Sequence, residues 1–332
     1  MAHSAGLKVK KSQGEGLRQK LVELGLFDRE RKIRSDEGCL YLPVLDLSPE
    51  AAEDLAKIGD FDLVEAEFEE AEGKETVEEL LGRRAHFEVV GEIAIQDSPD
   101  REAASAILKV QKNVKTVASP KTPVEGEYRT RRFMIVAGEE KTATVTKEHG
   151  LQYRIDLEKA YFTPRLGTER LRVAKLVRPG DVVFDMFAGV GPFALLIAKR
   201  GARVVAVDKN PDAVRLMREN AALNRIDDIV ILEGDAGQMA EQYESFADHV
   251  IMNLPHTASD FLGQAIRIAK DGGVVHYYAI APEDDLYGRD TAFVEEAALS
   301  RGAKVSFLYR GIVRSYAPHQ YNIVIDFEVR KP

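Results

Sequence analysis

The stretch Asp181–Gly201, DVVFDMFAGVGPFALLIAKRG, decides how the chain is read. An apolar run ends on Asp185, a glycine turn follows, and an apolar helix starts at Pro192 and stops at Gly201. Proline suits a first helical turn and glycine the residue past the last one. Gly189 and Gly191 let the backbone approach a ligand closely. Gly189 to Ala194 also spells G-x-G-x-x-A, so a dinucleotide site has to be weighed, although a lone match is weak evidence. Downstream, RVVAVD, NPDAVRLMRENAALN, IVILEGD, HVIMNLP, DFLGQAIRIAKDGG and VVHYYAI alternate strand and helix. This is the rhythm of an α/β fold with a parallel, doubly wound sheet. The tail KVSFLYRGIVRSYAPHQYNIVIDFEVR offers two strands and no helix, which predicts an antiparallel edge.

The acids at the strand ends narrow the ligand. Asp185 would face the glycine turn, where a dinucleotide carries its pyrophosphate; a carboxylate there disfavours an anion and favours a cationic amino acid group. Asp208, ending VVAVD, stands where a carboxylate accepts from ribose hydroxyls. Asp235, in LEGDA, ends the third strand. Three acids at three strand ends suit S-adenosylmethionine better than a phosphate-bearing cofactor. Singly, Asp208 or Asp235 could equally cap a helix. In VIMNLPHTASDF, Val250–Phe261, a core strand runs into Asn253-Leu254-Pro255-His256 beside the glycine loop. Asn253 offers an acceptor and two donors, and Pro255 holds Leu254 extended. Such a strand end can read the edge of a base, or it can be a plain exit into a loop.

The 332 residues, 45% hydrophobic and 30% charged, describe a globular protein of two or three domains. Cys39 is the single cysteine, so no disulfide and no cysteine-cluster metal site is expected. The histidines lack paired ligand spacing. No apolar run approaches the roughly 18 residues of a membrane span, and the start has no leader-like apolar region. A cytoplasmic protein with no metal and no membrane association is the expectation. The net charge of −9 excludes a basic coat but not a local patch. Lys109, Lys112, Lys115, Lys121, Arg129, Arg131 and Arg132 stand against Glu125 and Glu127. A charge run alone is more often a solvated face than a nucleic-acid site. Residues 1–72 read as a first small α+β domain ending in the acidic linker DFDLVEAEFEEAEG. Residues 78–150 read as a second, with strands around the helix DREAASAILKVQKN, and 151–332 as the doubly wound domain.

The motifs DMFAGVGPFA, MNLPHTASDFL, HYYAI and SYAPHQY, with YRTRRF and YFTPRLGTERLRV upstream and KLVELGLFD and YLPV near the start, resemble the archaeal and eukaryotic family of tRNA (guanine-37-N1)-methyltransferases. The likeness runs over almost the whole chain. It implies a class I, Rossmann-like methyltransferase domain (151–332), preceded by an N-terminal domain that checks tRNA shape (1–72) and a domain contributing to tRNA binding and catalysis (78–150). It implies S-adenosylmethionine as cofactor and tRNA as partner, met at the anticodon stem-loop and through its L shape, by a monomer. Glu169 aligns with the general base, Arg129 with the arginine that stabilises guanine O6, and Asn253 and Pro255 with the pair that holds guanine. Tyr161, Arg165, Asp185, Phe187, Gly189, Gly191, Asp208, Asp235 and Asn253 are the implied cofactor positions. His256 departs from the NPPY motif of amino-methyltransferases, which argues against an exocyclic amine as target.

The residue types agree with this chemistry. Guanine N1 carries a proton at neutral pH, and its loss moves negative charge to O6. A carboxylate base and a guanidinium supply both needs. Without the resemblance, Glu169 reads as a helix surface charge and Arg129 as half of a salt bridge. The nearest rival is the aminocarboxypropyl transferase of the wyosine pathway, which differs around Asn253 and Pro255. An RNA-binding module with a vestigial fold and a nicotinamide dehydrogenase are more distant rivals; Asp185 disfavours the second.

Overall fold

The computed structural model of the chain describes residues 2–71, 76–123, 126 and 128–332. It divides into two compact units, Met1–Thr76 and Val77–Pro332. In the first, strand β1 (Ala2–Lys10), helix α1 (Lys11–Glu23), strands β2 (Arg34–Ser35) and β3 (Cys39–Pro43), helix α2 (Pro49–Ala56) and strand β4 (Phe61–Phe68) build a sheet of order β2-β3-β1-β4. Its core is Leu7, Val9, Leu17, Leu21, Leu42, Val44 and Leu55. Ser48 caps α2, accepting from the Ala51 N–H. The acidic stretch expected as a linker is mostly β4. Val64, Ala66 and Phe68 turn inward at period two while the intervening acids face out, and β4 pairs antiparallel with β1. The Gly73 end of that linker, and Glu125 and Glu127 of the basic run, lie outside the described residues.

The second unit opens with helix α3 (Val77–Leu81), then strands β5 (Phe87–Val90) and β6 (Ile93–Gln96), helix α4 (Arg101–Val110), and strands β7 (Thr116–Pro120) and β8 (Phe133–Gly138) in the order β5-β6-β7-β8. Strands β9 (Ala143–Glu148) and β10 (Leu151–Asp156) form a hairpin. Residue 150, where the sequence marks a boundary, is the turn of this hairpin, and His149 and Gly150 both take positive φ there. Val90, Ile93, Leu151, Tyr153, Val183 and Phe193 share one core, so the contacts draw no line between 150 and 151.

The large sheet has the order β13-β12-β11-β14-β15-β17-β16. Its parallel strands are β11 (Val182–Asp185), β12 (Arg203–Asp208), β13 (Ile229–Glu233), β14 (Ala247–Met252) and β15 (Ala269–Pro282). The antiparallel edge is β16 (Lys304–Ala317) and β17 (Gln320–Arg330). Helices α5 (Gly167–Leu176), α6 (Pro192–Ala198) and α7 (Pro211–Leu223) cover one face. Helices α8 (Ala236–Met239), α9 (Leu262–Ile268) and α10 (Gly288–Ser300) cover the other. The chain order reverses at β11, so the crevice beyond the C-terminal ends of β11 and β14 is the switch point where such sheets bind ligands.

Candidate active site

The crevice at that switch point is walled by Phe187, Gly189, Asp208, Asp235, Asn253 and Tyr161, among others. Gly189 has φ +58 and its N–H donates to Asp208 Oδ2 at 2.7 Å. Asp208 Oδ1 accepts from the Asn210 N–H at 2.8 Å, so this carboxylate fastens the glycine loop to the end of β12. Burial raises the Asp208 pKa despite these two bonds. Gly191 has a different task. Its φ is +91, and a Cβ there would stand 2.8 Å from Met217 Cγ and 3.0 Å from Leu195 Cγ, so it is a packing glycine at the start of α6. Asp235 does both things the sequence left open: it caps α8 through the Gly237 N–H (2.8 Å) and lines the crevice. Phe187 meets Phe261 edge to face, centroids 5.2 Å apart.

A second crevice adjoins the first and shares Arg129, Tyr161, Phe162, Thr163, Leu254 and Phe261 with it. Arg129 holds a left-handed backbone (φ +53), and its guanidinium lies 4.9 Å from the centre of the Tyr161 ring. Arg165, expected at the cofactor, belongs to this second crevice and pairs with Glu88 at 3.1 Å. The turn after β14 is tied down: Leu254 N–H donates to Met252 O at 3.0 Å, and Pro255 O accepts from Ile280 N–H at 3.1 Å. Asn253 therefore projects from a fixed strand end into the first crevice, and Pro255 acts through the backbone behind it.

Glu169 is not in either wall. It is buried, accepting from Arg172 Nε (2.9 Å) and Nη2 (2.8 Å) and from the Tyr278 hydroxyl (2.7 Å). Arg172 also donates to Asp326 (2.7 Å), which holds His276 (2.8 Å), which meets His249 (3.1 Å). Burial opposes charge on Asp326, but His276 and Arg172 keep its carboxyl below the usual range. Burial and the Glu169 charge keep the Tyr278 phenol protonated. Burial also depresses His249 to about 4, so it stays neutral at pH 7. The neighbours Leu166 and Arg170 do line the first crevice. Arg170 is 2% exposed, pairs with Glu148 at 2.6 Å and donates to Thr163 O at 2.7 Å. Sequence reasoning passed over Arg170, Asn210 and Phe261; each sits within a motif stretch, where only closeness to an assigned residue marked it.

The residues fit a cationic, phosphate-free cofactor. Asp185 is 1% exposed; among the described residues its Oδ1 accepts from the Phe187 N–H (3.3 Å) and its buried Oδ2 has no partner. A buried carboxylate oxygen left without a donor behind the glycine turn suits a positive group and repels a pyrophosphate. Among the described residues no cluster of His, Cys, Asp and Glu could hold a metal ion, and no helix is long and apolar enough to cross a membrane.

The profile of the tRNA methyltransferase 5 N-terminal domain matches residues 6–53, and that of the TRM5/TYW2 methyltransferase domain matches 144–306. The chain is 41% identical to the tRNA (guanine(37)-N(1))-methyltransferase Trm5b of Pyrococcus abyssi, across 97% of this chain and 98% of that one. The chain belongs to the TRM5/TYW2 methyltransferase family. A crystal structure of Trm5b from P. abyssi superposes with a TM-score of 0.71 at 40% identity, covering 98% of this chain and 99% of that one. A solved complex of aTrm5 and tRNALeu gives 0.68 at 33% identity, covering 97% and 99%. Methanocaldococcus jannaschii TYW2 in complex with AdoMet gives 0.61 at 25% identity, covering 74% of this chain and 100% of that one. The large sheet is thus the class I methyltransferase domain of a TRM5/TYW2 family member.

Asp185 in this domain yields a test. Burial, helped by the Asp208 charge, raises its carboxyl from 3.8 to about 7. A raised folded-state value leaves stability intact below the unfolded value and removes it as pH rises toward 7. The gap corresponds to on the order of 4 kcal/mol, less about 1–3 kcal/mol for the amide that asparagine would leave unpaired. Asp185→Asn without cofactor should therefore melt a few degrees higher than the parent at pH 8, with little gain at pH 4. Its cofactor affinity should fall. A melting temperature at pH 8 at or below the parent's would show that the carboxylate is not strained.

Proposed function

We propose that the chain transfers the methyl group of S-adenosylmethionine to N1 of guanosine-37 in tRNA. The observation that carries this reading is the pair of adjoining crevices at the switch point: one edged by acids and a glycine turn, the other by guanidinium groups and aromatic rings, with Arg129 and Tyr161 in both. Relatives of full length carry the same activity in their names. S-Adenosylmethionine is the cofactor and supplies an electrophilic methyl group on its sulfonium. Asp208 and Asp235 accept from its ribose and adenine edge, Phe187 and Tyr161 flank it, and Asp185 gives negative charge behind its amino acid end. Arg129 stabilises the charge that develops on guanine O6. Asn253 hydrogen-bonds the base edge, with Pro255 stiffening its backbone. The N-terminal unit recognises tRNA, and residues 78–150 add binding surface and Arg129.

Glu169 is the general base in this scheme. Both of its oxygens are engaged and it lines neither crevice, so its side chain must turn from Tyr278 and Arg172 toward the crevice before it can take the N1 proton. It starts α5 on the same turn as Leu166 and Arg170, which reach the crevice. Catalytic hydrogen bonds are often formed only once substrate is bound.

The second reading, aminocarboxypropyl transfer, is disfavoured by length: the TYW2 structure spans 74% of this chain, whereas Trm5b spans 98%. The deciding experiment gives the chain unmodified tRNA and S-adenosylmethionine labelled either in the methyl group or in the amino acid chain. The expected product is 1-methylguanosine at position 37 carrying the methyl label alone. Label arriving only from the amino acid chain establishes the second reading instead.

A further inference from the structure

The second crevice holds more cationic groups than the proposed chemistry uses. Arg129, Arg131, Arg165 and Arg314 line it against the acids Glu88 and Asp97. Arg165 is paired with Glu88 and Arg129 lies over Tyr161. Arg131 lies over Phe133 at 5.0 Å. Arg314 stands apart: its Nε is buried with no acceptor, and among the described residues it forms no ion pair. It reaches the crevice from the antiparallel edge because the β16–β17 ladder slips by one residue between Ile312 and Arg314. A second slip, between Ser315 and Ala317, frees Tyr316. The Tyr316 hydroxyl is 3.3 Å from His256 Nε2, and the two rings meet edge to face at 5.4 Å. The SYAPHQY segment is thereby joined to the Asn253–His256 turn. Burial and the Arg129 charge both disfavour protonation of His256, leaving the positive charge of this wall to the arginines.

Resting on the proposed RNA substrate, we infer that Arg314 binds a phosphodiester flanking the target nucleoside, with the Tyr316–His256 pair as the surface against which the adjacent base rests. A guanidinium offers a planar fork of donors that matches two phosphate oxygens. The half-buried Arg314 guanidinium, with an unused N–H at its buried Nε, lacks that acceptor. Arginine charge interleaved with aromatic rings is how unpaired RNA strands are held, since every base has a face to stack and every nucleotide a phosphate. On a chain of net charge −9, such a pocket also gives the strand a local point of attraction.

The test reads RNA binding by the full chain and requires no methyl transfer. Arg314→Ala should weaken binding of unmodified tRNA about 10-fold at moderate salt and reduce the slope of log affinity against log salt by about 1. Arg314→Lys should recover part of the affinity and all of the slope. Affinity for S-adenosylmethionine, by calorimetry, should be unchanged in both. Independently of any variant, tRNA with one neutral methylphosphonate linkage beside guanosine-37 should bind the parent more weakly at a single position, and Arg314→Ala should be indifferent to that substitution. Parent-like affinity and slope in Arg314→Ala, or no sensitive linkage, overturns the inference. A loss confined to cofactor affinity overturns it too and assigns Arg314 to the cofactor carboxylate. Failure to find 1-methylguanosine in the labelling assay would count against the proposed reaction and not against this contact.

Discussion

Glu169→Gln should slow single-turnover methyl transfer by about 10²–10⁴-fold, the usual contribution of a general base. Glutamine keeps the length and can still accept from Tyr278, but it cannot take a proton. Affinities for tRNA and S-adenosylmethionine should change little, because the missing interaction belongs to the transition state. The buried network makes a control necessary. Arg172 is shared between Glu169 and Asp326, and removing one partner of a buried pair can cost about 3–5 kcal/mol. The rate is therefore to be taken below the variant's measured melting range. A variant that binds normally and turns over at the parent's rate would leave Glu169 as a strut for Arg172. Tyr278→Phe separates the two roles further. It removes the hydroxyl bond to Glu169 Oε1 and leaves the carboxylate on Arg172 alone, so a base that must leave Tyr278 should not become slower.

Asp208→Ala should weaken S-adenosylmethionine binding on the order of 100-fold or more. Each charge-assisted hydrogen bond lost is worth about 1.5–3 kcal/mol, and a ribose offers two hydroxyls. The same carboxylate accepts from Gly189 and Asn210, so alanine also releases the glycine loop and leaves two backbone donors unpaired. Asp208→Asn is the gentler variant, retaining one acceptor, and should lose less. Because burial raises the Asp208 pKa while hydroxyl donors favour the ionised form, cofactor affinity should decline as pH falls into the carboxylate range. Calorimetry suits the measurement, since the chain has no tryptophan. Parent-like affinity in the alanine variant would remove Asp208 from the ribose.

What the sequence made legible follows the range of the interactions. The glycine turn, the strand ends at Asp185 and Asp208, and the helical rhythm are local patterns, and the sheet carries them as read. Strand β4 was obscured because its outward positions are acidic, so composition outweighed the period-two signal in Val64, Ala66 and Phe68. The pattern changes near residue 150, where strand and helix begin to alternate, but the β9–β10 hairpin that spans this point packs against partners elsewhere in the chain. Glu169 shows the limit most clearly. Arg172 stands at helical spacing three residues on along α5, but Tyr278 comes from a strand 109 residues away, and the Asp326 that shares Arg172 lies 154 residues beyond that arginine; no spacing rule announces these two. Arg314 was hidden for another reason. Which face of β16 it takes depends on ladder slips, which alternation alone does not reveal.

Those slips have a bearing on the chain's behaviour in concentrated solution. Strand β16 is the outermost strand of the large sheet, fourteen residues long, and it exposes Leu308, Tyr309, Ile312 and Tyr316. A straight strand of that length with such side chains would be a template for another chain to add to, the usual opening step of aggregation. Its three irregularities, at Phe307/Tyr309, Ile312/Arg314 and Ser315/Ala317, break the row of free N–H and C=O groups into short pieces and increase the local twist. The distortion that delivers Arg314 to the crevice thus also leaves no long flat edge for a neighbouring molecule to extend.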